Sequence, residues 1–284
     1  MSNRNWASQP LNEKSDQMFL SIGDFFPISL ISTNCPITCN IDDSLESILE
    51  KEQLENFDHI PVCSQEIIVG LLNKKDAKDR DFVKTVGEAM DRLDQSILIS
   101  SHASILSFIE EADKHPCRLV LDGTEIKGIV TISDLQKLEV RPVLFSLITY
   151  LELLMSEFIR KDFPFEDWIN KLSQRRKELV NEKWEYLNHN NMAIDRLSAT
   201  DFCDKRDILM SSKLFNNNLS TDKNEAKDIF KKIEKLRNSV AHAGDYAITE
   251  DKAKEVSQTV RDMQDFIKVI KKSIRDLETN VESS

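Results

Sequence analysis

Two short stretches hold residue types able to do chemistry. Thr131, Ser133 and Asp134 close the run Gly128-Ile129-Val130-Thr131-Ile132-Ser133-Asp134, which follows an expected strand and opens an expected helix. Hydroxyls and a carboxylate at such a turn suit a phosphorylated ribose, with helix-start amides and Thr131 facing phosphate and Asp134 accepting from ribose hydroxyls. The same residues equally suit plain capping of the helix. The second stretch, Leu236 to Gly244, carries Arg237, Asn238 and His242. A guanidinium grips phosphate through two parallel hydrogen bonds, and an imidazole gives or takes a proton near neutral pH. At ~100° per residue, Ile229, Ile233, Leu236 and Val240 form one apolar stripe, and the polar trio falls away from it. Arg237 and His242 then lie ~140° apart on a straight helix, flanking a groove without touching. Residue types alone leave a solvated helix end beside a site as readings, and Gly244 stands where a C-terminal cap belongs.

The elements that must hold these residues differ between the two halves. In the first, short β-branched runs at 28–31, 60–62, 67–72, 97–99, 118–121 and 126–130 alternate with helical stretches at 44–53 and 104–113. Ser44 is the expected N-cap of the former stretch. An internal repeat appears at an offset of 58 residues: Ile41 matches Ile99, Val62 matches Val120, Gly70 matches Gly128 and Asp76 matches Asp134. Two copies imply two similar subdomains packed against each other, since neither alone has much core. From Val143 onward the pattern is helical, with segments expected at 143–159, 165–187, 192–197, 204–209, 224–242 and 250–277. The last has apolar residues at Ala253, Val256, Val260, Met263, Ile267, Ile270, Ile274 and Leu277, a seam fit for a bundle helix or for a contact between subunits.

Composition removes several function classes. The net charge of −11 makes a broadly basic surface for DNA or membrane unexpected, so no DNA or membrane partner is expected. The acidity belongs to the first half, because residues 1–149 carry 14 basic and 24 acidic side chains against 24 and 25 in the remainder. Five scattered cysteines without a C-x-x-C pair imply neither a disulfide framework nor a metal site, and read as buried apolar residues in a reducing compartment. The glycine-rich phosphate loops are absent. A polar start without an apolar signal core, at 1–22, gives an N-terminal tail and a cytoplasmic expectation.

The repeat resembles a tandem pair of CBS domains over residues 23–140, in copies of about 23–80 and 81–140. The resemblance rests on His59-Ile60-Pro61-Val62 before Gly70-Leu71-Leu72, and on the Gly128 to Asp134 ending of the second copy. It implies an α+β regulatory pair holding an adenine nucleotide such as AMP, ADP or ATP, with Thr131, Ser133 and Asp134 at phosphate and ribose and Ile99 facing the base. In the first copy Asn73 and Lys75 replace the two hydroxyls while Asp76 remains, which favours a single site centred on the second copy.

The helical part, residues 141–284, resembles the HEPN superfamily through Arg237-Asn238 followed by His242 ahead of a last long helix. That resemblance implies an all-α bundle and a metal-independent endoribonuclease acting as a homodimer. No cofactor would be needed for catalysis. In RNA, a base that deprotonates the 2′-hydroxyl and a cation that stabilises the phosphorane leave a 2′,3′-cyclic end. His242 would be base or acid, Arg237 would hold phosphate, and Asn238 would orient either group. The competing expectation is a nucleotide-sensing protein whose bundle is a non-catalytic dimerisation or docking scaffold. The remaining histidines, His59 among them, read as surface or packing residues.

Overall fold

A computed structural model describes residues 26–79, 82–190 and 195–282 of the chain. The N-terminal tail and part of the helix expected at 192–197 lie outside the described residues. The chain divides into two compact units, one running up to Val140 and including Ala247–Ser257, the other comprising Arg141–Tyr246 and the residues from Gln258.

The first unit is built from the repeat. Its elements are β1 (Thr33–Asn34), β2 (Cys39–Asn40), α1 (Leu45–Leu49), β3 (His59–Ser64), β4 (Ile67–Asn73), α2 (Lys74–Lys78), α3 (Val86–Ala89), β5 (Asp91–Arg92), β6 (Leu98–Ser100), α4 (Ile105–Glu111), β7 (Cys117–Asp122) and β8 (Glu125–Thr131). The 58-residue offset carries β1 onto β5, β3 onto β7 and β4 onto β8. Both hairpins even slip register at the same place, after Val62 in one and after Val120 in the other.

The two copies trade their leading strands. One sheet has the order β2-β3-β4-β5 and the other β1-β8-β7-β6. Strand β1, which begins the first copy, therefore pairs antiparallel with β8 of the second, and β5 pairs with β4 of the first. This exchange explains the repeated glycine. A Cβ on Gly70 would lie 2.6 Å from the Asp91 carbonyl oxygen, and one on Gly128 would lie 2.7 Å from that of Thr33. Glycine is thus the residue that lets the borrowed strand approach closely. The first copy has a core around Leu54, Ile60, Val62 and Leu72, completed by Val86 from the start of the second. Leu71 leaves it to pack with Ile97, Cys117, Leu119 and Ile129, joining the copies through apolar contact.

Some expected elements differ. The run at 28–31 is a 3-10 turn, Ile28–Leu30, rather than a strand. Residues three apart share a side in such a turn, and Ile28 and Ile31 are both fully buried. Its repeat partner is the short helix α3. Ser44 stands at the N-cap of α1 without a side-chain cap bond, and the Leu45 amide donates to the Lys84 carbonyl. Cys39 and Cys117 are buried, and burial pushes the Cys39 thiol up to about 11, which suits packing rather than reactivity.

The second unit is helical: α5 (Val140–Asp162), α6 (Gln174–His189), α7 (Phe202–Leu209), α8 (Lys213–Asn218), α9 (Lys223–Ala241) and α10 (Glu250–Glu282), whose first residues belong to the repeat unit. Its core holds Phe158, Phe202, Phe215, Phe230 and Phe266, with Phe230 stacked on Phe266 at 4.3 Å between centroids. Helix α5 is long and apolar enough to cross a membrane by length and composition. Its residues Leu144, Ile148, Leu151, Met155, Phe158 and Ile159 are buried. The helix expected over 165–187 is broken: Phe165 and Glu166 have φ of 57° and 62°, a 3-10 segment spans Pro164–Lys171, and Ser173 caps α6 by accepting from the Arg176 amide. The short helix α8 has no counterpart among the expected segments. The seam of α10 from Ala253 to Ile274 is buried within the chain, which is the bundle-helix arrangement and leaves that seam unavailable to a second subunit.

Gly70→Ala and Gly128→Ala should each destabilise the protein by roughly 1–3 kcal/mol, because the new methyl group meets backbone that cannot rotate away. Urea unfolding curves measure this, and Gly123→Ala, which strains φ without a steric clash, should act by a different and smaller route.

Candidate functional site

In the repeat unit, β8 ends at Thr131 and the chain turns into a 3-10 segment, Ile132–Gln136. The Thr131 amide donates to Asp134 Oδ2 at 2.6 Å and its hydroxyl donates to the same oxygen at 3.2 Å. The Lys137 ammonium holds the other oxygen, Oδ1, at 2.8 Å. Asp134 is therefore a capping residue and a fixed, nearly buried carboxylate at once, so the two readings of this turn are compatible. Ser133 is exposed beside it.

The first copy repeats the arrangement with different groups. Asn73 caps α2, its Oδ1 accepting from the Lys75 amide at 3.0 Å while its Nδ2 donates to Asp76 Oδ2 at 2.7 Å. The intervening Lys74 is buried and donates to the Leu54 carbonyl at 2.7 Å. Lys75 points the other way, its ammonium lying 3.5 Å from Asp58 and 3.2 Å from Glu250, the first residue of α10.

These two turns open onto one cavity of about 580 Å³, within the range of small-ligand sites. Thr131, Ser133 and Asp134 of the second copy line it together with Asn73 and Lys75 of the first, and with Thr33, His59 and Glu250. Ile37 and Phe57 also line it; both are about half exposed and offer apolar surface for a planar ring. Ile99, the expected base-facing residue, is not among the lining residues: it sits in β6, opposite Val120 and 8% exposed. His59 does line the cavity, contrary to its reading as an isolated histidine, and burial holds its imidazole below the usual histidine range. The repeat offset already pointed to Asn73 and Lys75, because it aligns them with Thr131 and Ser133. Nothing in the sequence pointed to Glu250, which arrives from 175 positions beyond Lys75.

In the helical unit the polar trio occupies the end of α9. Arg237 is 38% exposed in its side chain, with Nε 3.5 Å from Glu152 Oε2 and Nη1 donating to Asn238 Oδ1 at 3.5 Å. Glu152, on α5, also accepts at 2.9 Å from the buried Lys205 ammonium, so one carboxylate holds both cations. Asn238 and His242 are exposed, and His242 is the residue at which the helix ends. The turn beyond it is a Schellman motif in which the Gly244 amide donates to the Ser239 carbonyl at 2.7 Å. The left-handed position belongs to Ala243, with φ of 54°, and not to Gly244. Arg141 clamps this turn, donating to the carbonyls of Ser239 at 3.2 Å and Gly244 at 2.9 Å while lying over the Tyr246 ring. Among the described residues no group of three or more metal-ligating side chains occurs.

No protein-family model matches the sequence. Over 112 residues it is 27% identical to inosine-5′-monophosphate dehydrogenase of Haemophilus influenzae, covering 38% of this chain and only 23% of that enzyme. Among solved structures, the CBS domain of a bacterial CNNM/CorC family Mg2+ transporter in complex with ATP is 19% identical and covers 45% of this chain and 96% of its own, with a TM-score of 0.37. A hemolysin-like protein containing a CBS domain from Oenococcus oeni is 18% identical over 42% of this chain and 93% of its own, with a TM-score of 0.33. The repeat unit has the α+β fold of a CBS domain pair. In the repeat unit the matched hairpins β3-β4 and β7-β8 are the paired halves, and the motif residues stand at the ends of β4 and β8.

Ala243→Gly should stabilise the helical unit by roughly 0.5–1 kcal/mol, since a left-handed alanine costs more than the extra chain entropy of glycine. Denaturant midpoints report the change. A loss of stability would mean that the turn after His242 is not left-handed at Ala243.

Proposed function

We propose that this chain is an adenine-nucleotide sensor in which the CBS pair binds one nucleotide and the helical unit is a HEPN-type, metal-independent endoribonuclease. The observation that carries the sensing part is the single cavity onto which both motif turns open. Asp134 is fixed there to accept from ribose hydroxyls, Ser133 offers its hydroxyl to phosphate, Thr131 does so on turning its own from Asp134, and Phe57 and Ile37 offer apolar surface to the base. That the transporter domain above was solved with ATP supports an adenine ligand by analogy.

The nuclease part is supported by the placement of Arg237, Asn238 and His242 outside the bundle core, on a helix end clamped by Arg141. His242 acts as base or acid on the RNA 2′-hydroxyl or leaving oxygen, and Arg237 neutralises the phosphorane. One Arg and one His per chain make a homodimer the active form. With the α10 seam buried, the dimer face is assigned to α5, where Phe145 and Leu153 are exposed at 48% and 41%. The ion pair between Arg237 and Glu152 favours a second reading in which the bundle is a docking or dimerisation scaffold, because an arginine already neutralised has less charge to offer phosphate.

Purified protein should cleave single-stranded RNA in the presence of a chelator, and Arg237→Ala or His242→Ala should lower the rate by at least 100-fold with helicity unchanged. Cleavage that survives both substitutions, or needs added metal, sinks the nuclease reading and leaves the scaffold. Isothermal calorimetry tests the sensor separately. Asp134→Asn, which preserves the shape of the turn, should weaken adenine-nucleotide binding by about 10- to 100-fold, the cost of a lost charge-assisted hydrogen bond.

A further inference from the structure

Lys75 is the single lysine or arginine among the described residues lining this cavity, and two carboxylates share its charge. Asp58 comes from the same copy, next to β3. Glu250 comes from the start of α10. Its hydrogen bond and charge push the Lys75 ammonium pKa up, and Lys254 and Lys75 together hold the Glu250 carboxyl below the usual carboxylate range. With Asp58, Asp134 and Glu250 all facing the cavity, a phosphate group that entered beside them would find no cation to itself.

From this arrangement we infer that Glu250 is a built-in competitor for the phosphate of the nucleotide: its carboxylate occupies Lys75, and an entering phosphate takes its place. The inference rests on the nucleotide reading of the cavity and adds to it the residue that the phosphate displaces. A carboxylate and a phosphate oxygen present the same charge and acceptor geometry to an ammonium. Displacement is cheap for two reasons. The pair is exposed on both sides, and ion pairs of that kind are weak. Glu250 also has a second partner, since its Oε1 accepts from Lys254 at 2.7 Å one helical turn later. Released from Lys75, the carboxylate stays paired within its own helix.

The consequence reaches beyond affinity. Glu250 opens α10, the helix whose residues from Gln258 onward belong to the helical unit. The amide of Lys252 donates to the Thr249 hydroxyl and that of Ala253 to the Thr249 carbonyl, so the first turn is closed by its own cap as well as by the tie to Lys75. Replacing that tie by phosphate couples occupancy of the cavity to the first turn of the longest helix in the chain. A ligand that gains nothing from Lys75, such as adenosine, leaves the tie intact.

Calorimetry on the full chain with adenosine, AMP, ADP and ATP tests this, using Lys75→Gln and Glu250→Gln. Lys75→Gln should weaken binding of the phosphorylated ligands about tenfold, and Glu250→Gln should strengthen it several-fold. Neither should move the affinity for adenosine by more than about twofold. Hydrogen exchange at residues 250–254 should quicken when ATP binds and stay unchanged with adenosine. Equal effects on adenosine and ATP, or no effect of either substitution, would overturn the competition while leaving the nucleotide site standing. Absence of binding by all four ligands would overturn the nucleotide reading and the competition with it.

Discussion

The exchange of leading strands between the two copies is the constraint on which the repeat unit depends. Strand β1 closes the sheet of the second copy and β5 closes that of the first, each against a glycine that no other residue can replace without a clash. Neither copy is complete without the other's edge strand, and Leu71 reinforces the join by packing into the second core. An exchange of this kind makes the pair, not the single copy, the folding unit. It also brings Thr33 to the edge of β8, where it helps to wall the cavity.

What the cavity offers follows from the two ends of the repeat being alike in backbone and different in side chain. Each hairpin runs out into a capped turn with a carboxylate at its fourth position, Asp76 in one and Asp134 in the other. Thr131 and Ser133, with their hydroxyls, and Asn73 and Lys75, with an amide and an ammonium, line one cavity. Divergence of the first copy thus changes the chemistry of that cavity's lining. In the helical unit the corresponding constraint is the clamp on the turn after α9: Arg141 donates to the Gly244 carbonyl and adds a second donor to the Ser239 carbonyl, which already accepts from the Gly244 amide.

Much of this was legible in the sequence because the repeat is ungapped. The offset of 58 residues places β3, β4 and their glycines over β7, β8 and theirs, and the stripe of Ile233, Leu236 and Val240 does set the motif of α9 outward. Other features escaped because they depend on distant partners. Ile28 and Ile31 have the composition of a strand, yet burial of every third residue makes a 3-10 turn. Phe165 and Glu166 interrupt an otherwise helical pattern through left-handed backbone that neither residue type announces. Ile99 matched Ile41 by offset, but its strand is occupied by pairing with β7 and its side chain belongs to the interior. Gly244 drew attention as a cap, while Ala243 takes the strained conformation. Glu250 and Lys75 meet only through the tertiary fold, so no local pattern could pair them.

If the two motif turns share one ligand site, each chain binds one nucleotide. Equilibrium dialysis of the full chain against radiolabelled ATP measures that stoichiometry directly. One nucleotide bound per chain at saturation, reduced in affinity both by a change in the second copy at Asp134 and by one in the first at Lys75, is the predicted result. Two equivalent nucleotides per chain, each sensitive to only one of those residues, would contradict a shared cavity.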